Sequence, residues 1–116
     1  MDRLRRLAIV CAAATIASAL GTTHAAALNY EDISGRWCTE GGTEQFDRDN
    51  LIAVIASNGQ RHVFPIVRYD YFETKVTVIW KDEEGKEWRT DFAEFSRERM
   101  VQLQNERGPR REFHRC

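Results

Sequence analysis

The chain has 116 residues, 42% of them hydrophobic, with 17 basic and 18 acidic side chains. A chain of this length forms one small domain, which excludes a two-domain enzyme, a nucleotide-binding α/β fold and a full (β/α)₈ barrel. Its near balance of charge excludes a polycation built for nucleic acid.

Residues 1–27 read as a cleavable secretory signal. Met1 to Arg6 is a short basic segment, Leu7 to Leu20 is apolar but too short to span a bilayer core, and small residues precede a cut after Ala25 or Ala27. Val10 in front of Cys11, with most of the apolar run behind it, argues against a lipid anchor, and no stable membrane insertion is expected. Removal of Arg3, Arg5, Arg6 and Asp2 with the signal leaves 14 basic against 17 acidic residues in a single domain, 28–116. The expected location is the periplasm or the extracellular medium. Cys38 and Cys116 are then the remaining cysteines, and an exported chain with two cysteines is expected to join them, closing a long loop.

Past a single helical turn at Asn29 to Ile33, turn signals recur at short intervals between segments rich in Val, Ile, Thr and aromatics, an all-β pattern. Eight strands are predicted: Gly35-Thr39, Thr43-Asp47, Leu51-Ser57, Gln60-Val67, Lys75-Lys81, Lys86-Phe95, Met100-Gln104 and Arg110-Arg115. Asn58-Gly59 predicts a two-residue hairpin turn that pairs Val54 with Val63 and Ile52 with Pro65. Alternation sets Val76, Val78 and Trp80 on one face, Trp88 with Phe92 on another, and Val101 with Leu103 facing away from Met100, Gln102 and Gln104. Trp37 and Phe113 face in while Cys38 and Cys116 face out, on the first and last strands. The pattern predicts a small up-and-down antiparallel β-barrel of about eight short strands, closed end to end, with a two-sheet sandwich as the alternative. Three tryptophans and six phenylalanines are expected nearly to fill it.

Ile33-Ser-Gly-Arg-Trp-Cys38 carries a first-strand Gly-x-Trp, and Phe113-His-Arg-Cys116 places an arginine on the last strand. The pair resembles the signature of the lipocalin and avidin-like barrels, in which a first-strand tryptophan packs under a last-strand arginine. The resemblance implies structural roles for Gly35, Trp37 and Arg115 and, as one functional option, carriage of a small apolar ligand. Ser34 to Trp37 is also similar to the start of small exported bacterial barrels that inhibit proteases or lysozymes. That resemblance implies a protein partner, with Leu28 to Asp32 as an inhibitory arm.

Chemistry-bearing patterns are sparse. His62 and His114 lack zinc-ligand spacing, Ser34, Ser57 and Ser96 sit in no nucleophile elbow, and Asp47-Arg-Asp-Asn50 lacks the glycine and glutamate of a calcium loop. No catalytic residue, cofactor or metal is expected. Arg97 to Arg115 holds six arginines against three glutamates, and Asp82 to Glu94 six acids against two bases. Candidate partner contacts are the basic residues Arg107, Arg110 and Arg111 and the aromatics Tyr69, Tyr71 and Phe72, the latter read as an exposed connection. The expected function is an exported, non-enzymatic binding module, foremost an inhibitor of a hydrolase, otherwise a lipocalin-like carrier.

Overall fold

A computed structural model describes residues 27–116; residues 1–26, which hold all of the expected signal but its last residue and include Cys11, lie outside the described residues. Asn29 opens the first element with a reciprocal cap. Its side chain accepts the Glu31 N–H at 2.9 Å, and the Asp32 carboxylate accepts the Asn29 N–H at 2.8 Å. This sustains one turn, α1 (Tyr30–Ile33), whose Ile33 is fully buried.

Eight strands follow: β1 (Gly35–Thr39), β2 (Gly42–Phe46), β3 (Asn50–Ile55), β4 (Arg61–Tyr71), β5 (Lys75–Lys81), β6 (Glu87–Ala93), β7 (Arg99–Gln102) and β8 (Arg111–Arg115). Each pairs antiparallel with the next, and β8 returns to β1 through Trp37↔Arg115 and Cys38↔His114, closing the barrel. Cys38 and Cys116 stand at disulfide distance across this seam, Cα to Cα 5.1 Å. Closure leaves no free sheet edge.

Two expectations are corrected. The β3–β4 hairpin is shifted by two residues, pairing Ile52 with Val63 and Val54 with Arg61. Its loop is longer than two residues: the Gly59 N–H reaches the Ile55 carbonyl at 2.8 Å, and Gly59 alone takes positive φ, at 68°. Asn58 uses its side chain to cap the Gln60 N–H at 2.9 Å rather than adopting a left-handed backbone. A two-residue shift preserves side-chain parity, so Leu51 and Phe64 still face in.

Tyr69 and Tyr71 belong to β4, and only Phe72 lies in the following turn. A register shift between Ile66 and Arg68 inverts the parity of the strand. Phe64 and Ile66 face in before it, whereas Tyr69 and Tyr71 pair with core-facing Val78 and Val76 after it. Pro65 sits just outside the β4–β5 pairing. The neighbouring Ile66 N–H points to Asp49 on the β3 side, so the donor that proline lacks falls where β5 is running out.

In β7 Val101 does face away from Met100 and Gln102, and it is Met100 and Gln102 that point inward. Met100 lies opposite core Phe113, and Gln102 opposite core Phe92; residues paired across antiparallel strands share a face. Val101 is buried as well, although on the other side of the sheet.

Candidate ligand-binding cup

The two ends of the barrel differ. At one end α1 lies across the interior. The Trp37 indole N–H donates to the Ile33 carbonyl at 2.9 Å, and the Arg115 guanidinium covers the Trp37 ring at 3.8 Å while donating to the carbonyls of Ser34 and Asp32. Gly35 permits this: its φ is +96°, and a Cβ there would stand 3.1 Å from Arg115 Nη1. Tyr30, Tyr69 and Tyr71 complete the closure, with Tyr30 edge-on to Tyr69 and Tyr69 stacked on Tyr71. The Tyr69 hydroxyl donates to the Asp47 carbonyl at 2.6 Å, and burial pushes this phenol far above its ordinary pKa. Leu28 packs against the core beside them, so the segment considered as an inhibitory arm is folded onto the barrel.

The other end is open. A cavity of about 350 Å³ enters between the hairpin turns, corrected from the expectation that aromatics would fill the interior. The aromatic mass is concentrated deeper, where Phe92 meets both Phe46 and Phe113 edge-on at 5.3 and 5.5 Å. Phe72 and Phe95 lie outside the inward-facing strand positions, in the turns after β4 and β6. Nearer the mouth the inward positions include Ala53, Thr90 and Gln102, which occupy less space.

The cavity wall is mainly apolar, with Leu51, Phe64, Val78 and Trp80 among its lining residues. One polar group crosses it. Arg111 Nη2 donates to Glu44 Oε2 at 3.0 Å and to Gln102 Oε1 at 2.9 Å, tying β8 to β2 and β7. The Trp80 indole N–H is satisfied by Thr90 Oγ1 at 3.0 Å. At the mouth, Arg107 from the β7–β8 connection lies over Trp80 and Trp88, 5.0 and 4.6 Å from their ring centres. Trp88 is itself fixed through its N–H to Asp82 at 2.8 Å, a hydrogen bond that holds the Asp82 carboxyl below its ordinary pKa. His62, on the β3–β4 hairpin, meets Glu83 of the next hairpin at 3.4 Å.

The sequence-derived contact residues therefore divide. Arg107 and Arg111 line the cup; Arg110 is exposed and makes a two-pronged pair with Glu94 at 2.8 and 3.1 Å; Tyr69, Tyr71 and Phe72 lie at the opposite end. Glu44, Gln102, Trp80 and Trp88 were not singled out as candidates. Their signal was parity: Glu44 shares its face with Phe46, and an acid on a core-facing position needs a buried partner.

Burial pushes the Glu44 carboxyl above its ordinary pKa, against the opposing pull of Arg111. The folded state then holds this proton more tightly than the unfolded chain, so stability falls as pH rises through the range between the two pKa values and levels off above it. Other carboxylates, such as Asp82 and Glu94, are shifted down and act in the opposite sense. The difference between wild type and Glu44→Gln isolates the effect: urea midpoints measured from mildly acidic to neutral pH should show the wild type losing stability relative to the variant. A constant difference would contradict the assignment.

Among the described residues no group of three His, Cys, Asp or Glu side chains is placed to hold a metal ion, and no helix is long and apolar enough to cross a membrane. Comparison of the chain with protein families, curated proteins and solved structures finds no match.

Proposed function

We propose that this domain is an exported, non-catalytic binding barrel whose open end receives a small, mainly apolar ligand. The observation that carries the reading is the cavity of about 350 Å³ in the mouth of a closed barrel, walled by apolar side chains and crossed by one satisfied polar cluster. Glu44, Gln102 and Arg111 are held by one another, an arrangement suited to orienting a guest rather than transferring protons. The Cys38–Cys116 pair is consistent with an oxidising exported compartment, periplasmic or extracellular.

The test is saturable binding of a neutral fluorescent probe, N-phenylnaphthylamine, to the purified domain. One-to-one enhancement is expected with wild type. It should be lost in Ala53→Trp, which fills the cup from β3, and retained in Val63→Asp on the outer surface. Binding unaltered by Ala53→Trp in a folded variant, or no binding to wild type, defeats the reading.

A protein partner, such as a hydrolase, is favoured by a different surface. The outer face of β3 and β4 exposes Val63 and Val67, at 45% and 43%, with Pro65 between them and Ile52 opposite Val63. Such a stripe on the solvent side of an antiparallel sheet marks a contact surface. On that reading, micromolar domain slows a protease or lysozyme and Val63→Asp abolishes the effect; no inhibition across a hydrolase panel removes it.

A further inference from the structure

Resting on the cup as a ligand site, we infer that its guest is a monoanionic amphiphile: an apolar body of about a dozen heavy atoms carrying one anionic head, which seats against Arg107. The size follows from the volume, since about 350 Å³ is near the small end of ligand sites and corresponds to roughly a dozen water-sized volumes of about 30 Å³.

The head follows from the charges. Glu44, Arg107 and Arg111 are the formally charged side chains lining the cavity among the described residues. Once Glu44 is ionised it and Arg111 neutralise each other at 3.0 Å, which leaves the lining with one positive charge, that of Arg107. Among the described residues Arg107 has no carboxylate within ion-pair distance; Arg36, Arg48, Arg61, Arg89, Arg97 and Arg115 share that state, but none of them lines this cavity, whereas the other lining arginine, Arg111, is paired.

Arg107 is nonetheless held in place. Its backbone N–H donates to Asn105 Oδ1 at 2.8 Å, and Asn105 and Gly108 exchange main-chain hydrogen bonds across the turn. The Arg107 guanidinium carbon stands 5.0 and 4.6 Å from the ring centres of Trp80 and Trp88, and the Lys86 ammonium lies 4.2 Å from the Trp88 ring centre. A cation–π contact consumes no conventional N–H···O hydrogen bond, so the Arg107 donors are not used up by the indoles. Asp82 is first a scaffold, since Oδ2 accepts from Trp88 and Oδ1 accepts from the amides of Glu84 and Lys86; the Arg107 charge also acts on its carboxylate, as the smallest of the influences on it and from beyond ion-pair distance. The result is a pre-positioned fork of donors at the rim of an apolar cup, the geometry that binds a carboxylate or sulfate in two-pronged fashion.

The experiment displaces N-phenylnaphthylamine with three molecules sharing one ten-carbon tail: decanoate, decanol and decyltrimethylammonium, at neutral pH. Decanoate should displace the probe at concentrations ~10- to 100-fold below decanol, the range given by a charge-assisted hydrogen-bonded head, and the ammonium should be weakest. Arg107→Gln should reduce decanoate to the level of decanol while leaving decanol unchanged, and Arg107→Lys should restore part of the preference. Equal displacement by all three, or a decanoate preference that survives in Arg107→Gln, overturns the anionic head while leaving the cup as a ligand site. Failure of every ten-carbon molecule to displace a bound probe overturns the size assignment. Failure of the probe itself to bind overturns both this inference and the cup.

Discussion

Replacing Cys38 and Cys116 together by serine, or reducing the bridge between them, is expected to lower the melting temperature by roughly 20–35 °C. The two cysteines are 78 residues apart, and the chain-entropy relation assigns a loop of that length about 4–5 kcal/mol. For a domain of this size each kcal/mol corresponds to ~4–8 °C. The position of the bridge adds to its effect. It spans the one junction that joins the two ends of the strand order, where the register consists of Trp37↔Arg115 and Cys38↔His114. Opening that seam turns β1 and β8 into free edges, so the reduced protein should also aggregate on heating. Thermal unfolding followed by circular dichroism, with and without reductant, provides the measurement. A shift under about 5 °C would mean that the non-covalent seam closes the barrel unaided.

The barrel was legible because its inward apolar residues recur with a period of two, even in β5, which buries Thr77 and Ile79 on the other face as well. Val76, Val78 and Trp80 in β5, and Trp88 with Phe92 in β6, are the inward residues that alternation predicts, and closure followed from Trp37 and Phe113 facing in beside outward cysteines. Legibility failed where a local event broke the period. The shift between Ile66 and Arg68 inverts parity within β4, so Tyr69 and Tyr71 read as a connection although they continue the strand. At Asn58-Gly59 the turn signal gave the right place and the wrong loop length, because an Asn side-chain cap competes with a left-handed Asn backbone. The cup was hidden for another reason. Composition counts aromatics but does not show where along the barrel axis they stand, and here Phe46, Phe92 and Phe113 mass together while Ala53 and Thr90 leave space near the mouth.

Trp37→Ala should destabilise the barrel by about 3–5 kcal/mol, the cost of truncating a fully buried large aromatic that cannot be refilled by its neighbours. The closed end gives this residue three separate roles, and a graded series separates them. Trp37→Phe keeps most of the apolar volume but deletes the indole N–H, leaving the Ile33 carbonyl without its 2.9 Å donor, at a cost of about 1–3 kcal/mol. Arg115→Met keeps an apolar stem but removes both the cation over the ring at 3.8 Å and the hydrogen bonds to Ser34 and Asp32. Urea unfolding of the single and double variants then isolates the ring–guanidinium contact. A coupling energy of about 0.5–2 kcal/mol is expected if the Arg115 cation is stabilised by the indole face itself. Strictly additive losses would mean that Arg115 closes the end through its backbone carbonyl partners alone, with Trp37 serving only as a buried wedge. Because α1, Gly35 and the β1–β8 seam all meet at this residue, destabilisation here should open the closed end before the cup, and hydrogen exchange should rise first at the amides of Ser34 and Arg115, which bond to Tyr30 and Glu98 carbonyls.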